Sequence, residues 1–305
     1  MTRLSVVIPT FNRPDALPRT LAALARQTLD PDSYEIVIVE DAKNEASVPA
    51  ADNRLDMRVM RAEHPGASHA RNAGWRAALH PVVLFLGDDI IPAPDLLARH
   101  AALHDEHPDE RVGVLGYVEW ARELKRTAFM VWLDQGIQFN YPSIDGSEAG
   151  PGHLYTANVS LKRAALEQVG GFDAERFPFL YEDIDLGVRL FRGGFRLIYD
   201  QRATAEHLHQ PDLERWRARM KIQAAAERSW VERYPDESPY FHDRFAAALA
   251  LGQRQGRLGR ALLPYVARDT PLIGRRVWEN ADVYFRQQLG REFLAAWDQD
   301  DSGPK

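Results

Sequence analysis

Apolar residues in this chain gather in short runs, and between the runs they recur every three or four positions. Leu4 to Ile8, Tyr34 to Val39, Met57 to Met60, Val82 to Leu86 and Val112 to Gly116 are runs of the first kind. Four to eight residues rich in Val, Ile and Leu and bounded by polar or turn-forming positions predict buried strands. Asp15 to Gln27 places Leu17, Leu21 and Leu24 at helical spacing, and Ala67 to Leu79 and Ala93 to His104 read as further helices. Strand and helix alternate, which predicts an α/β fold with a mostly parallel central sheet flanked by helices and right-handed crossovers. Residues 119–155 lack either period and carry Gly136, Gly146, Gly150 and Gly152, so a functional lid or acceptor-binding insertion is expected there. From Pro211 the pattern turns helical, punctuated by Pro235, Pro239, Pro264 and Pro271. The expected organisation is a catalytic α/β domain over 1–210 and a helical C-terminal extension over 211–305.

Composition narrows the classes. At 305 residues, 45% hydrophobic and 27% charged, the chain can bury a large core. A net charge of -6 argues against a nucleic-acid partner, because phosphate backbones select positive surfaces. With no cysteine there is no disulfide, zinc-thiolate site or thiol nucleophile. Residues 3–9 read as a core strand rather than a leader, and no apolar stretch approaches the roughly 20 residues that span a bilayer. A cytoplasmic protein is expected.

Asp88 and Asp89 follow the apolar run Val82 to Leu86. Ligands of open α/β sheets bind beyond the C-terminal ends of strands, and two hard oxygen donors there suit Mg2+ or Mn2+ and a diphosphate. A turn capped by aspartate is the other reading. Glu40 and Asp41 end the second strand, where a carboxylate can accept from a ribose hydroxyl or a base N–H; turn acidity is the alternative. Pro9 to Asn12 leave the first strand, either to meet a base or ribose or as an ordinary loop. Arg71 and Asn72 open a helix behind Gly66, and Arg71 suits a diphosphate oxygen or a surface carboxylate equally. Glu182 and Asp183 begin another helix. Acids there favour the helix dipole without any function, or Asp183 takes a proton from an acceptor hydroxyl; the dipole is expected to hold its pKa low. His207 and His209 follow a further strand, as metal ligands or as ordinary surface or core residues. Trp120 and Trp132 are candidates for stacking on a sugar ring or for the core.

Four segments occur together in order: Val7-Ile8-Pro9-Thr10-Phe11-Asn12-Arg13; Ile38-Val39-Glu40-Asp41; Gly66 to Gly74 running on to Gly87-Asp88-Asp89; and Gly170-Gly171-Phe172-Asp173 followed by Tyr181-Glu182-Asp183-Ile184-Asp185-Leu186 and Arg189-Leu190. Over residues 3–210 the chain resembles the family 2 glycosyltransferases of GT-A (Rossmann-like) fold, which transfer a sugar from a nucleotide diphosphate with inversion. The resemblance implies a nucleotide-diphospho-sugar donor, a hydroxyl acceptor (glycan, lipid-linked or small molecule) of the kind met in polysaccharide biosynthesis, and Mg2+ or Mn2+. It implies donor binding by Pro9, Thr10, Asn12, Arg13, Glu40, Asp41, Arg71 and Asp88, metal binding by Asp89 and His207, and catalysis by Asp183 with Glu182 orienting. It also places Phe172-Asp173 along the donor-sugar or acceptor cavity. The family usually carries Asp-x-Asp where this chain has Gly87-Asp88-Asp89, which puts metal dependence in question. A binding protein without turnover and a nucleotidyltransferase are the rival readings.

Between Arg244 and Arg276 stand seven arginines and one aspartate, with Leu251, Leu258, Leu262 and Leu263 among them. A basic amphipathic segment suits peripheral contact with anionic lipid at the inner face of a membrane, a solvated face, or a homo-oligomer surface.

Overall fold

The computed structural model describes residues 2–45, 55–134, 136–251, 261–266 and 273–299. Two compact units divide the chain: Met1–Leu124 with Tyr141–His209, and Lys125–Asn140 with Gln210–Lys305.

Among the described residues of the first unit, nine strands form one sheet. They are β1 (Leu4–Thr10), β2 (Tyr34–Glu40), β3 (Met57–Arg61), β4 (Val82–Leu86), β5 (Ile90–Pro92), β6 (Val112–Trp120), β7 (Glu148–Ala149), β8 (Asn158–Lys162) and β9 (Arg196–His207). The order is β3-β2-β1-β4-β8-β6-β9-β5, with β7 also on β9. β3, β2, β1 and β4 are mutually parallel. β8 enters antiparallel between β4 and β6, and β5 and β7 run antiparallel to β9. The sheet is therefore more mixed than the alternation alone predicts. Leu4, Val6 to Ile8, Ile36 to Val39 and Val82 to Leu86 are buried, each large apolar side chain contributing roughly 1.5–3 kcal/mol by leaving water.

Helices α1 (Leu17–Leu24), α2 (Ala67–Ala77) and α3 (Leu96–Glu106) connect the early strands, and α5 (Arg163–Val169) and α6 (Glu182–Arg192) the later ones; α4 (Ala128–Leu133) belongs to the second unit. On α6 the buried face carries Asp185, Leu186, Gly187 and Leu190. Arg189 pairs with buried Asp185 at 2.8 Å and donates to the carbonyls of Val169 and Gly171, tying α6 to the preceding turn.

The segment 119–155, expected as a lid or insertion, divides. Its end forms β7 and packs beside α6, whereas 125–140 belongs with the C-terminal helices. That second unit holds α4, α7 (Leu213–Arg233), α8 (Tyr240–Ala250) and α9 (Gly274–Gln299). Trp216, Met220, Ala224 and Trp230 recur along α7 at core spacing. They meet an aromatic core in which Phe129 lies edge-on to Trp216, and Trp132 packs on Phe285. Glu227 is fully buried and accepts from the N–H groups of Phe241 and His242 at 2.7 and 2.9 Å, satisfying the first turn of α8. Of the basic segment, Leu258, Arg254, Arg257, Arg260 and Arg268 lie outside the described residues. Leu263 is buried, Arg244 stacks over Tyr240, and Arg275 pairs with Glu279.

Candidate active site

The C-terminal ends of β1, β2 and β4 meet at one edge, and the chain leaves each of them through polar residues. Thr10 Oγ1 donates to Asp88 Oδ2 at 2.8 Å, and Thr20 Oγ1 donates to the Asp88 carbonyl at 2.9 Å. The Arg13 guanidinium brackets the acids from 4.0 Å (Asp88) and 3.7 Å (Asp89), and His207 Nε2 lies 3.4 Å from Asp89 Oδ1. β5 brings His207 there, since Ile90 pairs with His207 directly after the acids. Trp120 stacks on the His207 ring at 5.2 Å and 11°. The two neighbouring carboxylates differ sharply. Burial and the Asp89 charge push Asp88 up to about 6 against the opposing pull of Thr10 and Arg13. Burial would also raise Asp89, but His207 and then Arg13 overcome it and hold Asp89 down at about 2.

A second group closes the β1–β2 side. Asn12, in the left-handed region at φ 52°, accepts from the Glu45 N–H at 3.0 Å, and its own N–H donates to Asn44 Oδ1 at 2.7 Å. Asn44 donates in turn to Glu40, whose other oxygen is 3.3 Å from Arg61. Asp41 accepts from the N–H groups of Lys43 and Gly66 at 2.9 and 2.6 Å. Gly66 is required there: its φ is 121°, and a Cβ would stand 2.7 Å from the Pro178 carbonyl oxygen. Pro9 lies in β1 one residue before Thr10.

The third group is the start of α6. Leu180 and Tyr181 both have positive φ, 70° and 62°. Two successive side-chain-bearing residues in that region mark stored backbone strain of the kind concentrated at functional sites. They deliver Glu182 and Asp183. Arg71 Nη1, from α2, lies 2.9 Å from Glu182 Oε1 and 3.8 Å from Asp183 Oδ1. Thr156, just before β8, contacts Asp183 through its N–H and hydroxyl. The Asp183 side chain keeps a quarter of its surface in solvent, yet protein encloses its remaining sides. Burial, with the Glu182 charge adding to it, pushes Asp183 up to about 6, while Arg71 and Thr156 pull the other way. The helix dipole therefore does not hold this carboxyl low, as its place in the sequence suggested; enclosure outweighs it.

Leu86 pairs with Asn158 at the end of the antiparallel β4–β8 ladder. Asp88 follows Leu86 by two residues and Thr156 precedes Asn158 by two, each in a turn just past the end of its strand. Among the described residues no three His, Cys, Asp or Glu side chains converge as a metal cage. Asp89 and His207 nonetheless fit a shared hard cation: their 3.4 Å separation is close to the roughly 3 Å between adjacent ligands of an octahedral ion with bonds of about 2.1 Å. Mg2+-type sites complete their shells with water and phosphate oxygens. His209 stands behind, its ring 5.8 Å from His207. Gly87 is explained by its surroundings, since a Cβ would lie 2.8 Å from Ile90 Cγ1 and 3.3 Å from Asp89 Oδ1.

Two aromatic expectations change. Trp132 is 1% exposed in the core of the helical unit, its Nε1 donating to Asp282 at 2.9 Å, and is no sugar platform. Phe172 is buried edge-on to Phe85, its N–H and carbonyl clasped by Asn72. Thr156, Thr20 and Asn44 were not singled out in the sequence. Asn44 follows Glu40-Asp41 closely enough to have drawn notice, whereas nothing near Thr156 announces its partner.

A helix-flanked α/β sheet with acids gathered at its C-terminal edge, followed by helices, is the GT-A architecture. The mannosyltransferase PcManGT from Pyrobaculum calidifontis, solved with GDP-Man and Mn2+, superposes with a TM-score of 0.61 at 18% identity, covering 98% of this chain and 88% of that one. S. aureus TarS 1-349 with UDP-GlcNAc gives 0.54 at 16% identity, covering 99% and 92%. Residues 5–156 match the model of glycosyl transferase family 2, and the chain belongs to that family. Validoxylamine A glucosyltransferase of Streptomyces hygroscopicus subsp. limoneus is 30% identical over 226 residues, 63% of this chain and 48% of that protein. Pre-mycofactocin glycosyltransferase of Mycobacterium tuberculosis is 27% identical over 290 residues, 90% and 57%. The chain spans about half the length of the curated relatives it matches. Among the described residues no helix is long and apolar enough to cross a membrane.

Proposed function

We propose that this protein is an inverting glycosyltransferase that moves a sugar from a nucleotide diphosphate to a hydroxyl acceptor, with residues 1–210 as its catalytic domain and 211–305 as a helical extension for acceptor, membrane-surface or dimer contact. One observation carries the reading: a charge-stabilised aspartate stands beside an imidazole past the end of β4, and at the start of α6 a carboxyl held by Thr156 is pushed up to about 6.

Asp89 and His207 would hold Mg2+ or Mn2+, which when bound neutralises charge on a diphosphate as a Lewis acid. Pro9, Thr10, Asn12, Arg13, Glu40, Asp41 and Asp88 surround the donor's nucleoside and phosphates in this reading, and Arg71 adds positive charge on the diphosphate side of the acid pair. The acceptor oxygen attacks the anomeric carbon from the face opposite the diphosphate. As the new C–O bond forms, the bond to the phosphate oxygen breaks and its electrons leave with the nucleotide diphosphate. Asp183 receives the hydroxyl proton. A carboxyl with its pKa raised is a better base near neutral pH than one held low, and Glu182 keeps Arg71 in place beside it.

The test uses the full chain with UDP-glucose, UDP-GlcNAc and GDP-mannose, each with Mn2+ or Mg2+. One donor is expected to raise the melting temperature, since ligand at a hundred times its Kd stabilises by about 2.7 kcal/mol, and to release nucleotide diphosphate. Asp183→Asn is expected to keep the thermal shift and lose the release. If none of these donors shifts the melting temperature, the reading fails; a shift without release in the wild type would instead identify a binding protein.

A further inference from the structure

We propose that Thr156 is a positioning residue for Asp183: its hydroxyl and backbone N–H fix the carboxylate's rotamer and leave the opposite lone pairs turned to the acceptor. This rests on Asp183 being the proton acceptor, but its physical content does not depend on turnover.

The geometry is specific. Thr156 Oγ1 lies 3.0 Å from Asp183 Oδ1 and 2.9 Å from Oδ2, and the Thr156 N–H donates to Oδ2 at 3.1 Å. A hydroxyl has one proton, so it serves either oxygen in turn while the N–H holds the second. Thr156 is itself only 3% exposed. Its place is fixed from below. Asn158, two residues on and fully buried, donates to the Ala203 carbonyl at 2.9 Å and reaches His100 Nε2 at 3.0 Å, and its N–H donates to the Tyr155 carbonyl at 3.1 Å. Ser160, the next inward residue, bonds to both His100 and His104 at 2.8 Å. The start of β8 is therefore held by buried polar contacts on three sides, and a donor mounted there varies little in position.

Two consequences follow. Hydrogen bonds to the ionised carboxylate favour it, opposing the enclosure that raises its pKa. Held on one side, the carboxylate also cannot rotate its second oxygen away from the approaching hydroxyl, which keeps the proton acceptor within reach of the reacting oxygen.

The experiment reads Asp183 directly. Full-length protein labelled with 13C at aspartate carboxyls is titrated by NMR, with the Asp183 resonance identified by its loss in Asp183→Asn. Thr156→Val keeps the shape and removes the hydroxyl; the Asp183 midpoint is expected to rise by about one pH unit. Thr156→Ser is expected to restore the wild-type midpoint. In nucleotide diphosphate release from whichever donor the wild type accepts, Thr156→Val should lose about threefold more at pH 6.5 than at pH 8.5 from that shift, with Thr156→Ser again like wild type. An unmoved midpoint in Thr156→Val, or a Thr156→Ser midpoint displaced as far as Thr156→Val, would overturn the proposal. Should Asp183→Asn release nucleotide at the wild-type rate while the Thr156 shifts appear as expected, the contact stands and the assignment of Asp183 as base falls.

Discussion

Arg71 and Glu182 form an ion pair at 2.9 Å with their side chains 13% and 8% exposed, 111 residues apart in the chain. The pair clamps α2 to the start of α6 and sets a guanidinium beside the carboxyl proposed as base. Its energetics are those of a buried pair. Each partner alone is costly in a site of low polarity, and the pair persists because neither is left uncompensated.

Removing one partner therefore costs more than the bond itself. Arg71→Ala leaves Glu182 buried without its cation, and a loss of about 3–5 kcal/mol in unfolding free energy is expected by urea denaturation. Arg71→Lys is expected to recover only part of this, because a point charge does not reproduce the planar fork. A loss under 1 kcal/mol for Arg71→Ala would mean that Glu182 rearranges to water.

Gly87 gives a second prediction, directed at the departure from the family's Asp-x-Asp. Gly87→Asp would supply the missing carboxylate, yet its Cβ meets Ile90, itself 1% exposed, at 2.8 Å. Overpacking of this kind costs typically 1–3 kcal/mol, so the variant is expected to melt lower than wild type and bind Mn2+ no more tightly by calorimetry. Asp89→Asn is expected to weaken Mn2+ binding at least tenfold, because it removes the donor best held in its ionised form. Tighter binding in Gly87→Asp would show that the β4 turn yields more easily than its packing implies.

Asp183 also sets a pH limit. A base must be ionised to accept a proton, and enclosure raises this carboxyl to about 6. The rate of nucleotide diphosphate release is expected to be level above about pH 7 and to fall roughly tenfold per pH unit well below 6. A limb near 4, where an ordinary carboxyl titrates, would remove Asp183 as its source.

The sequence made the parallel half of the sheet legible because β1, β2 and β4 are buried on both faces and read as unbroken apolar runs. β8 was not legible for a physical reason: Asn158 and Ser160 are fully buried but polar, satisfied by histidines of α3 that lie far off in sequence. Polar residues at alternate positions look like loop or surface until their partners are known. α4 is six residues long, too short for a helical period to declare itself. The acids at the strand ends could be named from their positions, since the run before each one fixes where the strand stops. Their protonation could not, because burial and the approach of Arg13, His207, Arg71 and Thr156 are properties of the fold.

The histidines behind β8 predict how stability depends on pH. His100 is fully buried, with Ser160 and Asn158 on its two nitrogens, and burial depresses its pKa to about 4; Asn158 and Asp200 oppose the shift and Arg99 assists it. His104 is held down to about 2 by burial, then by the charge of Lys162, whose ammonium lies 3.2 Å from His104 Nδ1. In the unfolded chain both titrate near 6.5. The folded form binds these protons more weakly, so their contribution is fully present above pH 6.5 and declines as pH falls through the unfolded value toward the folded one. For His100 the loss by pH 4 is about 3 kcal/mol. Thermal or urea unfolding between pH 7.5 and 4 should show wild type losing stability more steeply than His100→Asn, which has no proton to take up. Carboxylates common to both proteins cancel in that difference. Parallel curves would mean that the imidazole is protonated in place without cost, contrary to its enclosure beneath β8.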